Sequence, residues 1–509
     1  MLRPDARHWF FLVCPTLLTA LLVTGCDTPS PPVEPTPTST FPGLAHERYT
    51  LDNGLEVVLH EDHSDPSVAV ATIVHVGSSR ERLGRTGFAH FFEHMSFNDS
   101  ENVPRGANRK LIPELGGTRN GGTSSDMTIY YEVVPKDAFE KILWIDSDRL
   151  GFMLNTVTEA ALEREKQVVK NEKRQRVDNA PYGHTRAVQQ AALYPENHPY
   201  HWTVVGSLDD LQSATLEDVQ SFYTRLYGAN NATLVIAGDI EIGETKRLVE
   251  YWFSEIRQGP TVTAPYPQPV YLEATRSLMY EDTFATLPEL QLVFPTVEQF
   301  HEDRYTLDLL ASLLADSRES PLYQVVEEEQ RLAPAVAVGH RAAEIAGELV
   351  FWVRAGGDTD LDSVVVAIDE ALARFERDGI DAEALARVKV QAERSLHARI
   401  GSVLDKAFEL AEGNEFAGDP NHIATIADRT EAVTAEDVMG AYQRYIKDRP
   451  RIMTSFVPRG RPELALEGAE RARVVEEEIL QGAEAEVSQG EEARYRRTPT
   501  EADRSEPPL

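Results

Sequence analysis

The chain of 509 residues contains 83 acidic and 50 basic residues, giving a formal net charge of −33. A net charge of this sign and size argues against nucleic acid as a partner and against electrostatic attachment of the whole chain to anionic lipid. Its length accommodates two domains of ordinary size.

The N-terminus has the pattern of a secretory signal. Two arginines precede an apolar run and small residues before Cys26, and the run is short for a membrane-spanning helix. We interpret residues 1–25 as a lipoprotein signal peptide, because residues 23–26 resemble a bacterial lipobox in which Cys26 is acylated. An ordinary signal peptide followed by an incidental cysteine is the alternative.

The only other cysteine, Cys14, lies inside that signal segment. The mature chain then has no disulfide and no thiolate metal site, so any metal must be held by histidine and carboxylate. Residues 26–43 are rich in proline, serine and threonine and are interpreted as a semi-extended tether.

Residues 44–259 are predicted to form an α+β domain, because this range contains both strand-like and helix-like apolar segments. The predicted strands are 55–60, 68–76, 128–134 and 232–237, and the predicted helices after the motif helix are 138–150, 158–177 and 215–227.

The motif helix contains His90, Glu93 and His94 in the order His-x-x-Glu-His. Positions four apart share a helix face, so both imidazoles can reach one ion, and Glu93 lies beside them. Two imidazoles and a carboxylate base suit a Zn²⁺ hydrolase, and this order is that of inverzincins. The alternative is two unrelated histidines on an amphipathic helix.

The helix predicted over 158–177 offers a third ligand. Glu165 and Glu172 interrupt a partly apolar stripe on one face, where an unpaired buried carboxylate is unfavourable unless a metal compensates it. From the residues alone, a solvated charged face is the favoured explanation of this helix. Upstream, the glycine-rich residues 116–122 lack a phosphate-loop pattern and lead into a strand.

Residues 260–275 are interpreted as a linker, and residues 276–458 as a second domain without the metal motif. Thr215 and Thr434 begin similar segments that include Tyr223 and Tyr442 at a constant offset, which indicates an internal repeat. The acidic residues 459–509 are predicted to be a mostly disordered tail.

These motifs together resemble the pitrilysin family of zinc peptidases, from about Glu47 to Pro458. The resemblance implies two similar α+β domains, each a mainly antiparallel sheet flanked by helices. It also implies one Zn²⁺ held by His90, His94 and Glu172. Glu93 and Glu165 become the expected catalytic residues, with Glu165 in a supporting position. Asn120, in the run 120–124, is expected to bind substrate on an edge strand; a plain hairpin loop is the alternative.

Active single-chain members of that family carry an Arg/Tyr pair in the second half. Here Glu327 and Pro334 align with that pair, whereas Arg318, Tyr323 and Arg331 are nearby but out of register. The resemblance therefore implies a metal-bearing subunit that acts on peptides as a homodimer or with a family-like chain carrying the pair.

The predicted function is that of a lipid-anchored zinc metalloendopeptidase on the periplasmic or extracellular face of a bacterial envelope membrane. The alternative is a non-catalytic envelope subunit that binds peptides or stabilises a partner.

Overall fold

The computed structural model describes residues 41–474 and 497–509. The predicted signal peptide, Cys26 and most of the predicted tether lie outside these ranges. Phe41, at the end of that tether, is instead buried against Leu396 and Ile423, so the folded part begins slightly before residue 44. None of the helices in the described ranges combines the length and the apolar character that a membrane crossing requires.

The first half is built on a six-stranded sheet in the order β1-β2-β6-β3-β5-β4, in which only the β2–β6 pair is parallel. Its strands are β1 (Glu47–Thr50), β2 (Glu56–Glu61), β3 (Ser67–Val74), β4 (Thr118–Thr123), β5 (Thr128–Pro135) and β6 (Ala232–Gly238). Its helices are α1 (Phe88–Met95), α2 (Ala107–Glu114), α3 (Phe139–Phe152), α4 (Glu159–Lys173), α5 (Thr185–Leu193), α6 (Leu208–Ser213), α7 (Leu216–Leu226) and α8 (Ile242–Phe253).

The second half repeats this plan with a six-stranded sheet in the order β12-β7-β11-β8-β10-β9. Its strands are β7 (Arg276–Asp282), β8 (Glu289–Thr296), β9 (Ala335–Ala342), β10 (Gly347–Arg354), β11 (Ile452–Pro458) and β12 (Glu470–Arg471). Its helices are α9 (Asp303–Ala315), α10 (Leu361–Asp378), α11 (Ala382–Ala398), α12 (Val403–Glu412), α13 (His422–Ala432) and α14 (Ala435–Tyr445). The predicted fold class, two mainly antiparallel sheets flanked by helices, is confirmed.

The repeated segments share a helix start. Thr215 and Asp218 form a capping box at the N-terminus of α7, and Thr434 and Asp437 form the same box at α14. In each box the threonine oxygen and the aspartate satisfy backbone N–H groups that the helix leaves unpaired. The internal repeat therefore corresponds to equivalent helices in the two halves.

Each half also contributes one helix to the other half's sheet. Val188 and Leu193 of α5 pack with Leu278, Val293 and Phe456 of the second sheet. In the opposite direction, Ala407, Leu410 and Ala411 of α12 pack against the first sheet, on a cluster that includes Val58, Ala69 and Val235. The predicted boundaries 44–259 and 276–458 follow the order of the chain. In the packed structure, α5 lies against the second sheet and α12 against the first.

The prediction of a disordered tail is wrong for residues 459–474 and 497–509. Glu470 and Arg471 form β12, which pairs with β7 in parallel. Farther on, Arg504 is buried, and its carbonyl accepts a hydrogen bond from Trp144 Nε1 at 3.1 Å. The acidic composition predicted a solvated segment, but a few residues with specific partners suffice to dock it; residues 475–496 lie outside the described ranges.

Candidate metal centre

Contacts at the N-terminus of the motif helix α1 fix its position. Gly87 adopts φ of +83°, and a Cβ there would lie 2.4 Å from the Val205 carbonyl oxygen, so only glycine fits. The Glu81 carboxylate accepts hydrogen bonds from the N–H groups of Gly87 (2.8 Å) and Ala89 (2.7 Å). Burial raises the pKa of Glu81 to about 8. Glu81 was missed by sequence reasoning because it reaches the helix from a preceding loop rather than from a local capping position.

Helix α4 brings its carboxylates to the two histidines of α1. Nε2 of His94 lies 3.3 Å from Nε2 of His90 and 2.9 Å from Oε2 of Glu172. The distance from His90 Nε2 to the same carboxylate oxygen is 3.6 Å. These three donors form a group able to hold a metal ion. The structure thus brings together the three residues predicted as ligands.

The donor set fits a zinc ion. Two donors of a tetrahedral Zn²⁺ site with bonds of about 2.0–2.1 Å lie roughly 3.3–3.4 Å apart, close to the separations among these three atoms. Burial lowers the pKa of His90, and the neighbouring His94 adds to the shift, so the imidazole of His90 is neutral at pH 7. A neutral imidazole is the form that binds a metal.

Glu165 occupies a supporting position rather than a ligand position. Its side chain is 6% exposed, and its Oε2 lies 3.9 Å from Nδ1 of His94, on the far side of that ring from Glu172. Oε2 of Glu165 and Nδ1 of His90 are buried without a hydrogen-bond partner in the described residues. Glu172 is also oriented by Arg176, whose Nη1 lies 2.6 Å from Oε1.

Glu93, the predicted base, is held by the edge strand β4. The hydroxyl of Thr123 donates a hydrogen bond of 2.7 Å to Oε2 of Glu93. Burial raises the pKa of Glu93, and this hydrogen bond opposes the shift. Thr123 is a second residue that sequence reasoning missed, although it belongs to the run 120–124 that carried the family resemblance.

The glycine-rich segment forms the edge strand itself, paired with β5 on one side. A Cβ at Gly121 would lie 2.8 Å from Cζ of Phe97, so this glycine allows β4 to approach the turn that follows α1. Asn120 is exposed and pairs with Tyr131, whose ring packs on Phe408 of α12. Because side chains alternate along a strand, Asn120 faces the opposite side of the sheet from Thr123.

The segment aligned with the Arg/Tyr pair is engaged within the second half. Oε1 of Glu327 accepts a hydrogen bond of 2.9 Å from the N–H of Val336 in the edge strand β9. The Tyr323 hydroxyl donates to Oε1 of Glu328 at 2.9 Å, and Arg331 adopts φ of +53°. Among the contacts of the described residues, none joins these side chains to the three candidate ligands.

Two protein-family models match successive parts of the chain. Residues 56–199 match the family described as insulinase (peptidase family M16), and residues 213–391 match the one described as the peptidase M16 inactive domain. Both domains of the M16 architecture are therefore present. The chain belongs to peptidase family M16, the pitrilysin family, as the motifs indicated.

Known proteins are similar to this chain over most of its length. A zinc protease PqqE of Helicobacter pylori is 28% identical over 416 residues, covering 79% of this chain and 90% of that protein. A mitochondrial-processing peptidase subunit beta of Blastocladiella emersonii is 25% identical over 428 residues, covering 80% and 88%. A crystal structure of a protease from Helicobacter pylori has a TM-score of 0.75 at 24% identity, covering 82% and 100%.

Proposed function

We propose that this chain is a zinc metalloendopeptidase that hydrolyses peptides or unfolded segments in the bacterial cell envelope. The observation that carries the proposal is the convergence of His90, His94 and Glu172, with the Glu93 carboxylate near enough to interact electrostatically with His94 and Glu172. Relatives in family M16 that are named zinc proteases support the same reaction class.

Zn²⁺ held by His90, His94 and Glu172 would supply a Lewis acid and a bound water of lowered pKa. Glu93 accepts a proton from the attacking water as its oxygen bonds to the scissile carbonyl carbon. The same carboxyl then delivers the proton to the leaving amide nitrogen as the C–N bond breaks. Glu165 orients His94, and Arg176 orients Glu172.

The edge strand β4 is the proposed docking element for substrate. An extended peptide can add to an exposed sheet edge through main-chain hydrogen bonds. Thr123 links this strand directly to Glu93, so a peptide bound along β4 passes the base. Asn120 is proposed to contact the substrate from the face of β4 opposite Thr123.

A partner chain is proposed to complete the substrate grip. Glu327 and Tyr323 make contacts within their own half, and a relative is named as the beta subunit of a processing peptidase. We propose that a second copy, or a family-like chain carrying the Arg/Tyr pair, closes over the metal site.

The test is turnover of an unstructured peptide by purified full-length protein, alone and mixed with a family-like chain, with zinc content measured in parallel. Cleavage by the wild type that is absent from the Glu93→Gln variant supports the proposed reaction, and a gain on mixing supports the partner. Full activity of the lone, monomeric chain contradicts the partner but not the reaction.

The alternative function is a non-catalytic subunit that binds peptides or stabilises a partner. The missing Arg/Tyr pair favours it. The alternative would be established if the wild type cleaved no peptide, either alone or mixed with the partner, while the wild type and Glu93→Gln bound peptide and partner equally. That result would overturn the proposed peptidase activity.

Location in the envelope rests on the N-terminal sequence, which we propose is cut before an acylated Cys26. Metabolic labelling with a fatty-acid analogue should mark the wild type but not the Cys26→Ser variant. Label in the variant, or none in the wild type, contradicts the lipid anchor.

A further inference from the structure

A cavity of about 200 Å³ beside the start of α1 is lined by four arginines. The arginine cavity, as we call it, is lined by four arginines, two carboxylates, a serine and two aromatic rings: Arg80, Arg82, Arg85, Arg225, Glu81, Asp218, Ser221, Phe88 and Phe222. Its four arginines are not among the candidate metal ligands, the proposed base or the edge strand, although Glu81 in its lining also holds the start of α1.

The positive charge of this cavity is poorly compensated. Arg85 Nε lies 3.3 Å from Oδ1 of Asp218, whereas Arg80, Arg82 and Arg225 have no carboxylate partner within 4.0 Å in the described parts of the chain. The nearby Glu81 carboxylate is bonded to the backbone of α1. The cavity therefore keeps several positive charges close together.

Arg80 is the clearest example of an uncompensated positive charge in this cavity. Its Nη1 donates to the Thr263 carbonyl at 3.0 Å, while its Nε and Nη2 are buried without a hydrogen-bond partner in the described residues. Burial of guanidinium N–H groups without hydrogen-bond partners is unfavourable, and like charges around them add to that cost. A bound anion would relieve the mutual repulsion of the arginines.

We propose that the arginine cavity binds a phosphate-bearing anion, supplied as a small soluble molecule or as a lipid headgroup. The planar guanidinium fork matches two phosphate oxygens at once, which gives short, charge-assisted hydrogen bonds. The rings of Phe88 and Phe222 provide an apolar wall for the carbon group that the phosphate esterifies. This site is independent of the proposed peptidase reaction.

The test is calorimetric titration of the full-length protein with phenyl phosphate at fixed ionic strength, with phenol as the uncharged control. We expect one site per chain for phenyl phosphate and none for phenol. Arg82→Gln and Arg225→Gln should each weaken binding about tenfold and the double variant about a hundredfold, as loss of hydrogen bonds to a charged group predicts. Both positions are exposed, so the variants should fold.

Two matched variants complete the design. Arg394→Gln removes the same charge from an exposed position on α11 and should leave phenyl phosphate binding unchanged. Glu172→Gln should also leave it unchanged, which separates this site from the metal centre. Binding lost in Glu172→Gln but kept in the arginine double variant would overturn the proposal.

Sedimentation with phosphatidylglycerol vesicles distinguishes the two sources of phosphate. Phenyl phosphate binding without arginine-dependent vesicle binding identifies a soluble ligand, and vesicle binding that the double variant loses identifies a headgroup. Wild type and double variant that behave alike towards both probes would overturn the proposal.

Discussion

Thr123, at the end of the edge strand β4, donates a hydrogen bond of 2.7 Å to Oε2 of Glu93 on the metal-motif helix. This contact joins the strand proposed to hold substrate to the proposed base. It occupies Oε2 of Glu93, so Oε1 is the oxygen available for the proposed proton transfer. Positioning of this kind can lower a reaction barrier by several kcal/mol, since ideal orientation is worth about 7–11 kcal/mol.

Replacement of Glu93 by glutamine is expected to abolish peptide cleavage while sparing the metal. A glutamine amide cannot accept the proton, and loss of a general base reduces rates by about 10²- to 10⁴-fold. Peptide turnover and zinc content should be measured on the same preparation. Glu159→Gln, an exposed glutamate in the first turn of α4, is the control and should keep full activity; wild-type turnover by Glu93→Gln would refute the base assignment.

Replacement of Glu172 by glutamine is expected to weaken zinc binding at least 10- to 100-fold, the loss typical of an outer-shell partner and therefore a lower bound for a ligand. The neutral amide oxygen is a poorer donor and no longer balances the charge of the ion. Metal content after dialysis against a chelator of known affinity measures the effect. Retention of one zinc per chain equal to the wild type would remove Glu172 from the ligand set.

Replacement of Arg504 by alanine is expected to loosen the docked C-terminal segment. The guanidinium is 2% exposed; it donates to the Trp252 carbonyl at 2.9 Å and lies 4.1 Å from the centre of the Phe152 ring. Loss of hydrogen bonds from a charged group and of this ring contact should lower stability by about 2–3 kcal/mol. Differential scanning fluorimetry should show a lower melting temperature.

The control is Arg497→Ala, which removes an exposed arginine at the start of the same segment and should leave the melting temperature unchanged. Equal melting temperatures for Arg504→Ala and the wild type would mean that the segment does not stabilise the first half.

His75 is expected to make stability depend on pH. Burial alone would lower its pKa, but hydrogen bonds to Glu344 and Glu415, at 2.8 and 3.0 Å, outweigh burial and raise the pKa to about 9. Asp126 also faces this pair, since it accepts a hydrogen bond from the N–H of Glu344. The contacts join the residue that follows β3 in the first half to two segments of the second half.

Because the folded pKa of His75 lies above the unfolded value near 6.5, its contribution is complete below about pH 6.5 and is lost as the pH rises towards 9. The loss amounts to at most about 3 kcal/mol of unfolding free energy. Chemical denaturation across this range should show a slope that His75→Gln reduces and that His46→Gln, at an exposed position, retains. An unchanged slope in His75→Gln would contradict the assignment.

Local sequence determined much of the metal-bearing half. The spacing of His90 and His94 fixes both imidazoles on one face of α1, because a helix repeats every 3.6 residues. The capping boxes at Thr215 and Thr434 likewise start α7 and α14 through contacts three residues apart. Such features need no information from elsewhere in the chain, so they were predictable.

The sequence alone could not choose between Glu165 and Glu172 as the third ligand, since they lie two turns apart on one face of α4. Only the packing of α4 on α1 places Glu172 at 2.9 Å from Nε2 of His94 and Glu165 behind the ring at 3.9 Å from Nδ1. The family resemblance had indicated the same order, but the residues by themselves left it open.

Tertiary structure alone decided the contacts between segments distant in the chain. Thr123 reaches Glu93, Arg504 docks an acidic tail on the first half, and α5 and α12 each cover the other half's sheet. Local periodicity states which side of an element is apolar, but it does not state which other apolar face will cover it. That choice is made when distant surfaces are buried together, because the free energy of burial depends on area removed from water and not on sequence separation.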